Sequence, residues 1–499
     1  MAKTQNVSLE YAFFEVLRDY YHYNKGKIKR NYTDLTRKFL NYNDKEINPN
    51  AYLRTPQFEA LEMYVFIKEF FDNKDVASMF KDYMDKTGFF SDDSFYVDRT
   101  FRYGQLSMIR EGAENYQAVF KEMKKVKENY PNYIYALTMG LGKTTLMATC
   151  IFYEFLVANK NPKDKRFIHN ALVFAPDKTV LESLREIVTL DKTLIVPPEY
   201  ARVLDTNIKF HFLEDTGTTL NTLDNSSFNI IISNTQKIIV KKKHKDDSAA
   251  TRLFSMSNAS DSSSELDDIL KDVYGDNDIQ PDDLIFNQRY KKLCRLEQIG
   301  IYVDEAHHLF GNDLEKSLHS KSSDTSLRST INLLAAELER NGTSVVGCYN
   351  YTGTPYVKNK VLPEVVYSYG LKNAISMGYL KEVGLLRSTE NIKNEDFLRN
   401  AITEFWNTHK DKTYEGLPAK MAIFASRIAE ITDEVQPIVE QICSELGIPN
   451  DKILVNVGDE KVTRRGYQQI RSAVCGEGAS EKSAKRLRRD DIIELPGGR

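Results

Sequence analysis

Glycine, proline and cysteine are scarce in this sequence, and neither sign of charge dominates it. The 499 residues include 24 Gly, 14 Pro and 5 Cys. So little Gly and Pro excludes a collagenous or linker-like chain, and a hydrophobic fraction of 41% excludes a disordered one. The 68 basic and 71 acidic residues give a net charge of −3. This balance excludes a uniformly basic nucleic-acid-binding protein but allows a local basic path.

Targeting and disulfide patterns are lacking as well. No two cysteines are spaced as Cys-x-x-Cys and their number is odd, so neither a disulfide framework nor a zinc ribbon is expected. The first residues lack the apolar core of a secretory signal. No apolar run approaches the roughly 20 residues that a membrane span needs. We therefore expect a cytoplasmic protein with reduced thiols and no membrane partner.

What is present divides the chain into three parts. Residues 1–130 are rich in Tyr, Phe, Lys and Asp, and they predict a mainly helical N-terminal segment. From residue 131 to residue 385, short apolar runs alternate with helical patterns, which predicts an α/β domain with a parallel sheet covered on both faces. The predicted strands are 133–137, 171–175, 229–233, 300–303 and 344–348.

Two further segments qualify this division. Residues 241–283 are basic, then Ser/Asn-rich, then acidic, and they predict an insertion within the first α/β domain. Residues 386–499 predict part of a second α/β domain followed by a basic tail. In that part, residues 421–425 and 451–457 read as buried strands, and a helix is expected between them over 426–446.

The sharpest motif is Gly140-Leu141-Gly142-Lys143-Thr144, which follows a predicted strand and opens a predicted helix. Glycines let backbone N–H groups approach phosphate oxygens, and a helix N-terminus favours anions. Lys143 can then reach the β and γ phosphates of ATP, and the Thr144 hydroxyl can bind Mg²⁺. Thr145 extends the nucleotide-binding set. The full P-loop pattern also wants a glycine where the chain has Leu137.

A second motif, Asp304-Glu305-Ala306-His307, directly follows the apolar run 299–303. A strand that ends in paired carboxylates is the Walker B arrangement. Asp304 would hold Mg²⁺ beneath the phosphates, and Glu305 would orient and deprotonate the attacking water. His307 would link hydrolysis to movement. Both motifs are expected at the carboxyl edge of one parallel sheet.

Together these motifs resemble the superfamily 2 helicase and translocase ATPases, with the DEAD/DEAH box as their acidic motif. Within them the chain is most similar to the Res subunit family of type III restriction enzymes. The resemblance covers roughly residues 50–455. It implies a RecA-like P-loop motor domain, with ATP and Mg²⁺ as cofactors. Tyr351-Thr352-Gly353-Thr354-Pro355 resembles motif III, whose hydroxyls at Thr352 and Thr354 would couple the γ-phosphate state to domain closure.

The resemblance implies further binding residues. Leu53-Arg54-Thr55-Pro56-Gln57 is similar to the Gln motif, so Gln57 would bond the adenine edge; the pair Tyr116-Gln117 is a rival for this role. Two short strand-end motifs, one containing Ala175 and Pro176 and the other Thr235 and Gln236, resemble segments that hold nucleic-acid phosphates.

The sequence also departs from the family. Residues 420–424 fit motif IV, but no Gln-x-x-Gly-Arg-x-x-Arg motif and no nuclease pattern follow. The leading expectation is an ATP-dependent motor on duplex DNA, in a restriction or defence enzyme that has a Mod-like methyltransferase partner. The alternatives are an ATP- and DNA-binding module that needs a partner or a C-terminal extension for turnover, and a repair or RNA helicase.

Overall fold

The computed structural model describes 13 segments of the chain. They are residues 13–98, 128–175, 184–212, 228–234, 241–242, 284–285, 292–306, 327–357, 360–381, 394–414, 417–425, 427–449 and 452–455. Packing divides the chain into two compact units, Met1–Leu380 and Lys381–Arg499. Most of the insertion expected at 241–283 lies outside the described residues, apart from Lys241–Lys242, which pair antiparallel with Leu284–Ile285.

A seven-stranded, all-parallel sheet forms the centre of the first unit, as the α/β pattern predicts. Its strands are β1 Asn132–Leu137, β2 Asn170–Ala175, β3 Ile208–Phe212, β4 Phe228–Asn234, β5 Ile299–Val303, β6 Val345–Thr352 and β7 Val365–Tyr369. They lie in the order β7-β1-β6-β5-β2-β4-β3. All five predicted strands are present, and the two additional strands, β3 and β7, lie at the edges of the sheet.

Side-chain alternation sends the strand residues into two separate cores. In β2, Ala171 and Val173 join the larger core, whereas Leu172 and Phe174 join the smaller one. Because both faces are covered, the strands read as nearly continuous apolar runs rather than as alternating ones. The helix Lys143–Lys160 packs on the larger core, and the helix Leu327–Arg340 packs on the smaller one.

Helices dominate residues 13–98. Thr33 and Asp75 cap two of them by accepting the backbone N–H groups of Thr36 and Ser78. These helices belong to the same hydrophobic core as one face of the sheet. They are α1 Phe13–Asn31, α2 Asp34–Asn43, α3 Thr55–Val65, which continues as a π-helical turn Phe66–Phe70, and α4 Val76–Asp85.

Of the remaining helices of this unit, four lie between strands of the sheet and the last follows the final strand. They are α5 Lys143–Lys160, the short α6 Glu186–Thr189, α7 Pro198–Asn207, α8 Leu327–Arg340 and α9 Leu371–Ser376. Among the residues that the structure describes, no helix is both long and apolar enough to cross a membrane.

The second unit differs from its prediction. Its helices are α10 Glu395–His409 and α11 Gln436–Glu445, the latter preceded by a π-helical turn Glu430–Val435. The strand predicted at 421–425 is wrong, because this segment is irregular and Phe424 is 81% exposed. Residues 452–455 form no strand either. A parallel strand needs a neighbour for its backbone groups, and the described residues of this unit provide none beside these segments.

Candidate active site

The sheet brings the two principal motifs to the same edge. β1 ends at Leu137 and leads into the glycine-rich loop, while β5 ends at Val303 and leads into Asp304. Only β6 lies between these two strands. Residues about 160 positions apart in the sequence are therefore neighbours at the carboxyl edge, where open α/β sheets bind ligands.

The glycine-rich loop turns through two left-handed residues. Gly140 has φ +77° and Gly142 has φ +74°, a region that residues with a Cβ rarely adopt. Gly142 is the N-cap of α5, and Lys143, Thr144 and Thr145 form the first turn of this 18-residue helix. Helix geometry directs the first N–H groups of α5 towards the loop, where they can donate to a bound anion.

Lys143 contacts the acidic motif directly. Its Nζ lies 2.9 Å from Oε1 of Glu305, and the two side chains are only 9% and 22% exposed. Glu305 has φ +45°, an unusual value for a residue with a side chain. In an extended strand, consecutive side chains point to opposite faces. The left-handed turn at Glu305 breaks this alternation, so that Glu305 reaches the loop although it directly follows Asp304.

Asp304 is the more buried of the two carboxylates, with 4% of its surface exposed. Its Oδ1 accepts the backbone N–H of Glu305 at 2.9 Å, and its own N–H donates to the carbonyl of Phe174 at 3.0 Å. Burial, reinforced by the charge of Glu305, raises the pKa of Asp304 to about 6, although Lys143 and the backbone hydrogen bond act in the opposite direction. Asp304 and Glu305 thus bring two carboxylates to the single ammonium group of Lys143.

This charge excess fits a magnesium ion. Asp304 and the Thr144 hydroxyl are hard oxygen donors, the kind that Mg²⁺ takes together with water and substrate phosphates. Among the described residues, no group of three His, Cys, Asp or Glu side chains could hold a metal ion without other ligands. An ion at Asp304 would therefore depend on a nucleotide to complete its coordination.

Gln57 touches the loop rather than standing apart from it. Its Nε2 donates to the carbonyl of Gly142 at 2.9 Å, and its Oε1 accepts the backbone N–H of Arg54 at 2.9 Å. Gln57 is 4% exposed. The start of α3 is thereby fixed to the start of α5. The adenine contact expected of Gln57 stays a prediction.

Arg54 also contacts the loop, although no role is predicted for it from the sequence. Its Nη1 donates to the carbonyl of Gly140 at 2.6 Å, and its guanidinium lies 6.0 Å from the ring centroid of Tyr379. The sequence signal that could have identified Arg54 is its position three residues before Gln57, at the N-cap of α3. Arg54 and Gln57 together hold both glycine carbonyls of the loop.

The segment that resembles motif III lies beside the same loop. A Cβ added at Gly353 would lie 3.7 Å from the backbone nitrogen of Met139 and 3.8 Å from the carbonyl oxygen of Leu137. Thr352, 2% exposed, ends β6, and its Oγ1 accepts the backbone N–H of Thr354 at 3.1 Å. The position of both threonines would therefore respond to a shift of the loop.

Of the residues predicted to hold nucleic-acid phosphates, Ala175 lies within the described segments. It ends β2 and pairs in register with Asn234 of β4, so these two strand ends reach the same edge of the sheet. The other predicted residues lie outside the described segments. They are His307, Pro176, Thr235, Gln236 and the rival pair Tyr116 and Gln117.

Comparison with known proteins assigns no family. No protein-family model matches the chain, and no curated protein matches it.

Proposed function

We propose that the first unit is a RecA-like motor domain that binds and hydrolyses ATP with Mg²⁺. The observation that carries the proposal is the contact between Lys143 and Glu305 at 2.9 Å. A P-loop ATPase needs the lysine of its nucleotide-binding motif and the carboxylates of its acidic motif at one site, and here a helix N-terminus and a strand end bring such residues together.

Each residue then has a chemical task. The N–H groups at the start of α5 and Lys143 bind the phosphates. Asp304 and Thr144 would hold a Mg²⁺ ion, which would supply positive charge for the transferred phosphoryl group. When phosphates occupy the loop, Lys143 turns to them and Glu305 is released. Its carboxylate is then available to accept a proton from the attacking water.

The polymer that the motor acts on is proposed to be duplex DNA. The support is the resemblance to the Res subunit family of type III restriction enzymes, including the strand-end motif at Ala175. A Mod-like methyltransferase partner and a restriction or defence role belong to the same proposal. An RNA or repair helicase would use the same site, and comparing stimulation by duplex DNA, single-stranded DNA and RNA separates them.

One observation favours a second candidate. The segment at 420–424, where motif IV is expected, is irregular and largely exposed. A protein in this state binds ATP and DNA as a module without turnover until a partner or further chain completes the second domain. Nucleotide binding with turnover that appears only after a partner is added would distinguish this candidate from a self-sufficient motor.

Nucleotide binding tests the shared part of both candidates. We expect the wild-type protein to bind a fluorescent ATP analogue in the presence of Mg²⁺ and Lys143→Ala to lose at least tenfold in affinity. Lys160→Ala, at the exposed C-terminal end of the same helix, is the matched control and should bind like the wild type. Equal binding by all three proteins, or binding by none, would contradict the proposal.

A further inference from the structure

A buried ion pair lies beneath the candidate active site and belongs to none of its motifs. Nζ of Lys68 lies 2.8 Å from Oε1 of Glu154, and the two side chains are 1% and 0% exposed. Lysine and glutamate are almost never fully buried unless they are paired. Such a pair is weak support for stability, because desolvation cancels much of the attraction, and its best-attested use is to fix one arrangement of packed elements.

The pair joins the N-terminal helices to the helix of the phosphate loop. Lys68 lies in the π-helical turn that continues α3, and Glu154 lies on α5. The backbone N–H of Phe71 donates to the carbonyl of Phe66, which is the i to i+5 bond of a π turn. Such turns occur frequently at functional sites.

Three tyrosine hydroxyls extend the pair to the strands of the site. Tyr64 donates to Oε1 of Glu154 at 2.6 Å and lies 3.0 Å from the hydroxyl of Tyr302. Lys68 donates to the hydroxyl of Tyr349 at 2.6 Å. The second carboxylate oxygen of Glu154 accepts the backbone N–H of Ile168 at 3.0 Å. Both oxygens of the buried carboxylate are therefore used.

Two of these tyrosines, Tyr302 and Tyr349, lie on strands that end at the candidate active site. Tyr302 lies on β5, two residues before Asp304, and Tyr349 lies on β6, three residues before Thr352. Both side chains belong to the core that contains α5, and the rings of Tyr302 and Tyr349 stack with centroids 5.0 Å apart. One hydrogen-bonded network thus touches the strands of the acidic motif and motif III and the helix that begins at Lys143.

We propose that Lys68 and Glu154 are positioning residues that hold α5 in one placement against β5 and β6, and so set the distances among Lys143, Glu305 and Thr352. In its catalytic consequence this proposal rests on the proposed ATPase function. Burial lowers the pKa of Lys68, while the charge of Glu154 and its hydrogen bond to Lys68 act in the opposite direction.

The test compares Lys68→Met, Glu154→Gln and the double variant with Tyr153→Phe. Tyr153 neighbours Glu154 on α5, and its hydroxyl bonds Glu69 in the same π turn. The variant Tyr153→Phe therefore removes a hydrogen bond between the same two elements, α5 and the π-helical turn, and leaves the hydrogen bonds of Tyr302 and Tyr349 in place. The double variant removes both charges together and so leaves no unpaired buried charge. It can therefore be measured even if a single variant does not fold.

Two readouts are taken on each folded variant. Amide hydrogen exchange at the backbone N–H groups of Asp304, Ala306 and Thr354 is measured without nucleotide. Turnover and the KM for ATP are measured separately. For Glu154→Gln we expect at least tenfold faster exchange at these three amides and at least tenfold lower turnover, with KM changed less than threefold. The double variant should be impaired about as much as the worse single variant, because both changes disrupt the same contact, and Tyr153→Phe should leave both readouts near wild-type values.

Two results would overturn the proposal. In one, Tyr153→Phe matches Glu154→Gln in both readouts, which would make the network merely structural. In the other, the double variant returns to wild-type exchange and turnover, which would show that an unpaired charge, and not loss of the pair, causes the defects of the single variants. If the wild type binds no ATP, the proposed function fails, but the exchange measurement still decides whether the pair positions the strand ends.

Discussion

Glu305 sits in a left-handed backbone conformation, φ +45°, from which its carboxylate reaches Nζ of Lys143 at 2.9 Å. The turn allows two consecutive residues, Asp304 and Glu305, to serve one site although a strand would direct them to opposite faces. A non-glycine residue in this region costs on the order of 1–3 kcal/mol and is concentrated at active sites and switches. The strain is therefore consistent with a functional use of Glu305.

The raised pKa of Asp304, about 6, predicts a pH-dependent stability cost. Between about pH 4 and pH 6 the folded protein keeps a proton that the unfolded chain has released, so this group lowers stability as the pH rises through that window. Asp304→Asn removes the cost. In urea unfolding without Mg²⁺, we expect the variant to exceed the wild type at pH 8 by on the order of 2 kcal/mol and to equal it near pH 4. A wild type that is more stable at pH 8 would contradict this origin of the shift.

Gly142 predicts a larger effect than its backbone angle alone would give. A Cβ there would lie 2.6 Å from Nε2 of Gln57, whereas Gly342, at φ +76°, has no atom within 4 Å of such a Cβ. Alanine pays roughly 1–2 kcal/mol at either position for the left-handed conformation. Only Gly142→Ala should also lose at least tenfold in nucleotide affinity. Gly342→Ala is the matched control, and equal affinities for the two variants would argue against the loop as the binding site.

Gln57 can be tested for base recognition separately from its contact with the loop. Gln57→Ala removes the bonds to Gly142 and Arg54, so affinity for any nucleoside triphosphate should fall. If Gln57 also reads adenine, the loss should be greater for ATP than for GTP. Competition titrations with both nucleotides measure this difference. Equal losses would leave Gln57 as a support of the loop and shift attention to the rival Gln117.

Thr352 predicts a loss of coupling rather than of chemistry. Thr352→Val removes the hydroxyl that accepts the N–H of Thr354, at a stability cost of about 0.5–1.5 kcal/mol for one lost hydrogen bond, because Thr354 is exposed and its N–H can bond water instead. We expect basal ATP turnover within about threefold of wild type and a loss of stimulation by DNA. Thr149→Val is the control, because Thr149 is also buried but bonds only its own helix at Thr145. Retained stimulation in Thr352→Val would remove Thr352 from the coupling role.

The sequence predicts the parallel sheet and the positions of its two motifs because both depend on local signals. Five apolar runs mark the inner strands, and the two glycines at 140 and 142 take the positive φ that a phosphate loop requires. The edge strands β3 and β7 escape prediction. β3 places Lys209 and His211 between its apolar residues, and β7 lies C-terminal to the segment that resembles motif III, where no strand is predicted.

Long-range contacts account for most of what the sequence does not reveal. No local pattern predicts a charged partner for Lys68, because Glu154, with which it forms its buried ion pair, lies 86 positions away. The bonds from Arg54 and Gln57 to the loop join segments equally distant in sequence. The error at 421–425 has the opposite cause. Its apolar composition favours a buried strand, but a strand also needs a neighbour that its own sequence cannot specify.

The central claim, that Lys143 and Glu305 form an ATPase site, is tested most directly by phosphate release with and without duplex DNA. The wild type should release phosphate faster when DNA is added. Glu305→Gln should keep ATP affinity but lose about 10²-fold or more in turnover, the usual contribution of a general base. Glu297→Gln, an exposed change shortly before β5, should behave like the wild type. DNA-stimulated release that is unchanged in Glu305→Gln would contradict the account.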